Sequence, residues 1–444
     1  MGWLKIDPGS WSRADRAETI GDMTEISEQA AVRRLNDRLG FGPAPGEPAL
    51  GFEETVRRLL GPAADAAAAA IAPPTGLAPP PRDKENKKAD RQTRTAQERK
   101  LTVWWLDRMV AGRTASERLT WFWHGHFATS NQKVRNAAWM LAQNQTQRQH
   151  ALGRFGDLAT AMIVDSATIR WLDGQRNRKG SPNENLAREF LELFTLGIGH
   201  YAEKDVAEGA RCLTGWVLGK DGKPATFRRQ RFDSGTKTVL GRSGNFDAKG
   251  YAGLALARPE SAPFVIGRLW FRLVSATPPD AATLARLQTA YGAERNVKSL
   301  LTAMVGEAAF RDPASALVKQ PVEWAVGLLR ALRLTPGKLE QQEQTKLLAG
   351  LRGMGQLSFR PPSVGGWPSG ASWLTTSAGV TRLQLAQHLA GLSDLGAIKS
   401  ADAAADLLGV DGWSARTKAA LAQVKAPAQL VAIAACAPEY VVSG

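Results

Sequence analysis

Two histidines separated by one glycine are the residues of this chain best suited to chemistry. His124 and His126 flank Gly125 and are two of only five histidines in 444 residues. This spacing puts two side chains on the same side of an extended segment but about 200° apart on a helix, and the glycine favours the extended form. Neutral imidazole is the commonest metal ligand, so the pair predicts part of a metal site. The alternative is that both histidines are structural and form hydrogen bonds with the backbone beside Trp121 and Trp123.

A second segment carries polar side chains at helical spacing. The residues Ser181-Pro-Asn-Glu184 have the form of a capping box with proline at the first helical position, and Gly197 supplies a stop. Along this predicted helix, a polar stripe faces away from the apolar side, and it consists of Asn185, Arg188, Glu189 and Glu192. A further helix, over about residues 203–215, repeats the pattern with Asp205, Glu208 and Arg211. Solvated faces with local ion pairs are the alternative interpretation.

Together these segments predict a histidine and carboxylate metal site within a helical body. The predicted metal ligands are His124, His126, Glu189, Asp205 and Glu208. The predicted catalytic residues are Glu189, Glu192 and Arg188, and the predicted substrate-binding residues are Arg211, Trp367 and Asn185. Such ligands suit iron, manganese, magnesium or zinc. In a hydrolase of this kind a metal-bound water would be the nucleophile and an unligated Glu the base.

The elements that must position these side chains are predicted to be mainly α-helical. Apolar residues recur at helical spacing from residue 96 onward, whereas 223–246 has the composition of a short β-hairpin or ordered loop. Residues 1–61 predict a small helical lobe, 62–95 an Ala/Pro-rich and then basic linker, and 96–444 the main helical body.

Composition excludes several classes of protein. The two cysteines, Cys212 and Cys436, cannot form a disulfide framework or a Cys-rich zinc site. No stretch predicts a membrane span or a secretory signal, so a cytoplasmic location is expected. The formal charge of +15 suits polyanions, but the basic run at 82–100 contains no aromatic residue for base stacking, so specific nucleic-acid binding is not expected. No serine or cysteine nucleophile motif, phosphate loop or dinucleotide fingerprint is present.

The chain resembles a bacterial family known as domain of unknown function 1800. The resemblance is carried by segments spread over nearly the whole chain: Arg38-Leu-Gly-Phe-Gly, Trp121-Phe-Trp-His-Gly-His-Phe-Ala-Thr-Ser, Asn183-Glu-Asn-Leu-Ala-Arg-Glu-Phe-Leu-Glu-Leu-Phe-Thr-Leu-Gly, Asp205-Val-Ala-Glu, Thr214-Gly-Trp, Lys237-Thr-Val-Leu-Gly-Arg-Ser-Gly-Asn-Phe-Asp, Lys319-Gln-Pro-Val-Glu and Pro361-Pro-Ser-Val-Gly-Gly-Trp-Pro. We refer to them below as the family motifs.

The resemblance implies a mainly helical protein without an established activity. It also implies a partner similar to sulfatases and alkaline phosphatases, since such proteins are often encoded beside this family. Phe232 stands where the family commonly has histidine, and Ala202 where it often has threonine. The leading hypothesis is a metal-dependent enzyme, with hydrolysis favoured as its reaction. The alternatives are a helical scaffold or assembly partner with buried polar networks, and a polyanion- or glycan-binding protein that uses Trp367 and Trp373.

Overall fold

The computed structural model describes residues 25–43, 50–61, 65–80 and 86–444, and in these ranges the chain is mainly helical. The first nine helices are α1 (Glu28–Leu39), α2 (Phe52–Leu60), α3 (Ala66–Ala69), α4 (Lys87–Ala111), α5 (Ser116–His126), α6 (Asn131–Val134), α7 (Ala137–His150), α8 (Phe155–Ile163) and α9 (Ser166–Trp171). Helix α10 (Asn185–Glu189) continues as a π-helix over Phe190–Thr195, and α11 (Glu203–Cys212) follows. The predicted fold class is therefore confirmed.

The remaining helices complete the body. They are α12 (Ala248–Leu256), α13 (Ser261–Leu273), α14 (Ala281–Tyr291), α15 (Val297–Gly306), α16 (Ala308–Arg311), α17 (Pro321–Ala331), α18 (Gln341–Gly353), α19 (Thr376–Ala390), α20 (Ala401–Leu408), α21 (Ala415–Ala422), α22 (Pro427–Ala434) and α23 (Pro438–Val441). No helix within the described ranges is both long and apolar enough to cross a membrane.

Six short strands form three antiparallel pairs in the described part of the chain. Strands β1 (Trp216–Val217) and β2 (Thr226–Phe227) pair, as do β3 (Lys237–Val239) and β4 (Arg242–Gly244). Both pairs lie in or beside 223–246, so the hairpin predicted there is confirmed. The third pair joins β5 (Leu317–Val318) to β6 (Val442–Ser443), which brings the C-terminal residues beside the start of α17.

Helix α5 lies between two hydrophobic cores. The first core includes Leu35, Leu119, Trp123, Phe155, Leu191, Trp270 and Leu300. The second core includes Trp105, Trp121, Trp324, Leu351, Leu389 and Leu430. Because α5 contributes Leu119 and Trp123 to one and Trp121 to the other, every residue of this helix except Gly125 is buried. Burial on both sides replaces the single apolar face that a surface helix would show.

The N-terminal helices share the first core with the main body. Ala31 and Leu35 of α1 and Leu59 of α2 are fully or almost fully buried in it. The sequence predicts that residues 1–61 form a lobe separate from the main body, and this division into folding units stays a prediction. The basic half of the predicted linker is helical from Lys87 onward, whereas residues 44–49, 62–64 and 81–85, which include part of the predicted turn and linker, lie outside the described residues.

Buried arginines tie distant segments together through backbone oxygens. Arg38 of α1 donates from Nη1 to the Val274 carbonyl oxygen at 2.5 Å and from Nη2 to those of Ser315 and Ser443, the latter at 2.9 Å. Burial lowers the pKa of Arg38 well below its usual range, and the charge of Arg34 acts in the same direction while Asp37 opposes it. One guanidinium thus connects α13, the chain before β5, and β6.

A buried carboxylate connects three helices. Glu117 of α5 accepts hydrogen bonds from Arg108 Nε of α4 at 2.8 Å, from Arg148 of α7 at 2.6 and 2.8 Å, and from Trp105 Nε1 at 2.9 Å. Its side chain is only 1% exposed. The two guanidinium groups would be left partly buried without a counter-charge if this carboxylate were removed.

We therefore expect Glu117→Gln to destabilise the protein strongly. Breaking one partner of a buried ion network costs about 3–5 kcal/mol of unfolding free energy, whereas an exposed pair contributes about 0–1 kcal/mol. The matched control is Glu294→Gln, since Glu294 also pairs with an arginine, Arg154 at 2.9 Å, but is 73% exposed. Urea unfolding of both variants checks this. Equal, small losses of unfolding free energy in the two variants would show that the Glu117 network does not stabilise the fold.

Candidate functional site

The His-Gly-His segment is helical, so the predicted extended conformation is wrong. His124, Gly125 and His126 form the last turn of α5. On a helix this spacing turns the two imidazoles away from each other. His124 is surrounded by residues of the second core and His126 by residues of the first core. Tertiary burial of the neighbouring aromatic residues overrides the local preference of Gly125, and the two imidazoles cannot meet at one ion.

His124 is an acceptor inside an aromatic cluster. Its Nε2 accepts a hydrogen bond from the Phe359 backbone N–H at 3.0 Å, and its ring lies 5.2 to 5.4 Å from the rings of Trp105, Phe359 and Trp367. Burial lowers the pKa of His124 to about 3. The imidazole is therefore neutral at physiological pH, and its accepting nitrogen is already used by the backbone.

His126 has one nitrogen bonded and one free. Nε2 lies 3.0 Å from the Phe194 carbonyl oxygen and must donate to it, which leaves Nδ1 as an acceptor. Nδ1 is buried without a hydrogen-bond partner among the described residues. Burial is the main cause that lowers the pKa of His126 to about 3; the charge of Arg268 adds to it, and the bond to Phe194 opposes it.

The acidic residues of α11 hold the following hairpin in place. Asp205 accepts from the backbone N–H of Ala202 at 2.9 Å and from that of Leu240 at 2.7 Å. Asp205 therefore caps the helix whose N-cap position, Ala202, lacks a polar side chain. Glu208 accepts from the Thr238 N–H at 3.1 Å and pairs with Arg211 at 2.8 Å.

The predicted anion-binding arginine Arg211 is occupied by carboxylates. Besides Glu208 it pairs with Asp233 at 2.8 Å, and this pair lowers the pKa of Asp233 to about 2. Phe232, which stands where the family commonly has histidine, packs its ring beneath Lys237, with Nζ 4.4 Å from the ring centre. These contacts form a structural network at the base of β3 and β4.

The polar stripe of α10 and the π-helix forms ion pairs near the surface. The helix begins at Asn185, so the predicted capping box at Ser181 is wrong; Glu184 instead pairs with Arg188 at 3.2 Å. Arg188 also forms two bonds of 2.7 Å with Glu203. Asn185 donates to the Leu172 carbonyl oxygen at 3.2 Å.

Glu189 and Glu192 lie next to this ion-pair cluster. Tyr201 donates to Glu192 at 2.5 Å. Burial and then the charge of Glu192 raise the pKa of half-buried Glu189, while Arg188 opposes them. Throughout the described ranges, no three histidine, cysteine, aspartate or glutamate side chains are grouped so that they could hold a metal ion. The predicted ligands are thus distributed over four separate surroundings: one for each imidazole, one for Glu189, and one shared by Asp205 and Glu208.

The two predicted ligand-contacting tryptophans belong to the core. Trp367 stacks on Trp121 with ring centres 5.0 Å apart and is 6% exposed, while Trp373 is 3% exposed. Neither presents a face to a sugar ring.

A cavity of about 230 Å³ lies where two family-motif segments, those that contain Arg38 and Lys319, meet α5 and α13. Arg38 of α1, Arg118 of α5 and Arg272 of α13 line it, together with Lys319 and Glu323 at the start of α17. Asp37 is the second carboxylate in its wall. Four cations and two carboxylates therefore surround one small space, which leaves two positive charges in excess. We call this space the motif cavity.

Hydrogen bonds fix the carboxylates of the motif cavity. Glu323 reaches back to accept from the Gln320 backbone N–H at 3.0 Å, and its other oxygen lies 2.8 Å from Arg118 Nη2. Lys319 pairs with Asp37 at 2.9 Å and lies over the ring of Tyr440 at 4.5 Å. The start of α17 therefore holds a lysine and a glutamate toward the same space.

Arg272, like Arg38, is bonded to backbone oxygens rather than to a carboxylate, and it is the less buried of the two. Its guanidinium donates to the carbonyl oxygen of Trp367 at 3.1 Å and lies 3.5 Å from that of Pro368. Burial lowers its pKa to about 10, with Glu323 raising it in part. Arg272 stays protonated and retains donors for an anionic ligand.

A small void adjoins the motif cavity. Its volume is about 20 Å³, and it shares Arg118, Arg272 and Gln320 with the motif cavity. The rest of its wall consists of Trp121, Phe122, Gly125, His126, Arg268 and Trp367. The free Nδ1 of His126 and the Nε1 of Trp367 are both buried without hydrogen-bond partners within the described ranges. One acceptor and one donor are thus available for a water molecule or the end of a ligand.

Sequence reasoning missed the residues of this cavity. Lys319, Gln320 and Glu323 were recognised only as a family motif, although glutamine followed three residues later by glutamate has the form of a capping box. Arg118 and Arg272 had no local signal, because their importance comes from contacts with segments far apart in the chain.

Comparison with known proteins gives one match. A family model described as protein of unknown function (DUF1800) matches residues 34–442, a range that contains all the family motifs. No curated protein matches the chain, and no solved structure does.

The buried imidazole of His126 predicts a loss of stability in acid. The unfolded chain binds a proton at the usual histidine pKa of about 6.5, whereas the folded protein excludes it down to about 3. Stability therefore falls as the pH drops below about 6.5. We expect the stability advantage of wild type over His126→Gln, which cannot titrate, to shrink by about 1.4 kcal/mol between pH 8 and pH 5.5.

Urea unfolding at both pH values measures this difference. His200→Gln, which removes an exposed imidazole, controls for the loss of a histidine as such. An advantage that is the same at both pH values would contradict a neutral, buried His126.

Proposed function

The chain belongs to the DUF1800 family of proteins of unknown function, and from that premise we propose that it binds a small anion in the motif cavity. The observation that carries the proposal is the convergence of Arg38, Arg118, Arg272 and Lys319 on a space to which the described residues contribute two carboxylates. Family-motif residues supply two of the four cations and one of the two carboxylates. Half of the charged groups in its wall therefore belong to the segments by which the chain is recognised.

The charge of the motif cavity selects an anionic ligand. Arg118 is 3% exposed, so its charge is poorly screened by solvent. Planar guanidinium groups match carboxylate, sulfate and phosphate geometry better than ammonium groups do. Because Arg272 is bonded to carbonyl oxygens rather than to a carboxylate and is less buried than Arg38, its positive charge is the one most available to a ligand.

The size of the motif cavity limits what can enter. A volume of about 230 Å³ is below the roughly 300–1,000 Å³ of pockets that hold drug-sized molecules. A small acid, or one acidic end of a larger molecule, fits this space. The adjacent void with the His126 acceptor and the Trp367 donor extends the site by about one water molecule.

The metal-dependent hydrolase stays a prediction. The contacts of His124, Asp205 and Glu208 with backbone N–H groups support the scaffold interpretation for these residues instead. Metal analysis of purified protein tests it: a stoichiometric ion that is lost in Asp205→Asn would support the metal site. Equal, trace metal in both proteins would remove it.

Anion binding predicts a saturable response to sulfate that depends on Arg272. Sulfate also stabilises proteins generally by exclusion from their surface, but that effect does not saturate. At constant ionic strength we expect the wild-type melting temperature to rise with sulfate and level off. Arg272→Gln should raise the dissociation constant about tenfold, because a charge-assisted hydrogen bond contributes about 1.5–3 kcal/mol.

The matched control is Arg229→Gln, which removes one exposed positive charge outside the motif cavity. It should bind sulfate as wild type does. Equal binding by Arg272→Gln, or no saturable response of the wild type to sulfate, phosphate or acetate, would contradict the proposal.

A further inference from the structure

The first half of α4 carries a row of charged side chains that the motif cavity does not use. Lys87, Asp90, Arg94 and Glu98 follow one another at intervals of three or four residues, as do the residues of one helix face, and Arg91 lies next to Asp90. They line two depressions of about 840 Å³ and 800 Å³. Neither depression shares a residue with the motif cavity or its void.

The two depressions form one groove. Lys87, Asp90, Arg94 and Arg135 line both of them, so they are continuous along α4. We call this surface the α4 groove. The opposite wall of the first depression includes Arg352 and Arg360, and that of the second includes Arg170 and Lys220; with Arg91, the groove has eight cations: Lys87, Arg91, Arg94, Arg135, Arg170, Lys220, Arg352 and Arg360.

Most of this positive charge is not neutralised within the groove. Among the described residues its carboxylates are Asp90, Glu98 and Asp221, so the described lining has five positive charges in excess. Glu98 forms an ion pair with Arg360, and Asp90 lies 3.8 Å from Arg94. Lys87, Arg91 and Arg135 are exposed, so their charges are accessible to a ligand that carries repeated negative charges.

The shape of the α4 groove suits a slender chain. A protein reads duplex DNA by inserting a protruding helix or ribbon into the major groove, whereas here the cations line a concave surface. A flat membrane would likewise meet only the rim of a depression. A single extended polyanion can lie along the groove and contact cations on both walls.

The lining of the groove favours an acidic glycan over a single-stranded nucleic acid. Binding of unpaired bases relies on exposed aromatic faces. Among the described residues of these walls the aromatic side chain is Trp139, which is buried and donates from Nε1 to the Lys223 carbonyl oxygen at 2.8 Å. Thr95 and Gln132 offer exposed polar groups that suit sugar hydroxyls.

We infer that the α4 groove binds an acidic polysaccharide, with its arginines and lysines contacting successive sulfate or carboxylate groups. The ligand chemistry is that of a linear glycan with at least one anionic group per disaccharide. This site is independent of the motif cavity, so either one can fail without the other.

The test compares two double variants of equal net charge. Lys87→Gln/Arg94→Gln removes two cations from the groove, while Lys88→Gln/Lys100→Gln removes two from the same helix outside it. The probe is a sulfated heparin octasaccharide, titrated calorimetrically into each full-length protein at about 0.15 M salt, where surface charges beyond about 8 Å are screened. A single-stranded oligothymidylate of equal charge is titrated in parallel.

We expect wild type to bind the octasaccharide and the groove variant to bind it at least about tenfold more weakly, while the control variant changes less than about twofold. Unchanged melting temperatures show that both variants are folded; if the groove variant does not fold, Arg135→Asn, which suits the left-handed backbone at φ 53°, replaces it. Equal losses in both double variants would show nonspecific attraction and overturn the proposal. Tighter binding of the oligothymidylate, or no octasaccharide binding by wild type, would overturn it too.

Discussion

The structure depends on the complete burial of helix α5 between two hydrophobic cores. A helix in this position can expose no polar side chain to water, and each buried polar group without a partner costs several kcal/mol. The chain nevertheless places Glu117, Arg118, His124 and His126 on this helix. Their partners come from α4, α7, α17, the segment at Phe359 and the π-helix. Pairing the polar side chains of this one helix therefore determines where five other segments lie.

The same constraint creates the motif cavity. Arg118 needs a counter-charge, and Glu323 provides it only because the start of α17 approaches α5. That approach also brings Lys319 and, from α13, Arg272 to the same place, where the carboxylates do not balance the cations. The site therefore has excess positive charge because α13 and the start of α17 pack against α5. Stability and binding are coupled here, since the groups that hold the segments together also define the space between them.

Local sequence patterns predicted local structure well and failed where long-range contacts decide. The spacing of apolar residues gave the helical class, and the composition of 223–246 gave the short strands, because both depend on neighbouring residues. The conformation at Gly125 was mispredicted because burial of Trp121 and Trp123 on opposite cores outweighs the preference of one glycine. Asp205 and Glu208 were correctly placed on a helix, but their partners in β3 and β4 depend on how the chain folds back. The residues around Arg118 form no pattern which indicates that Arg272 lines the same cavity, and the residues around Arg272 give no such indication for Arg118.

The bonds of Arg38 to main-chain oxygens have an evolutionary consequence. A contact between two side chains restricts both positions, so that a change at one favours a compensating change at the other. Arg38 instead donates hydrogen bonds to the backbone carbonyl oxygens of Val274, Ser315 and Ser443, and every amino acid has such an oxygen. Any residue that keeps the backbone path can occupy positions 274 and 315, although the hydroxyl of Ser443 also accepts from Arg38 Nε at 3.2 Å. The arginine itself has no substitute with the same fork of donors. Its contact with the carbonyl of Val274, more than two hundred residues away, would therefore restrict position 38 without restricting position 274, and it would be invisible to methods that infer contacts from covariation.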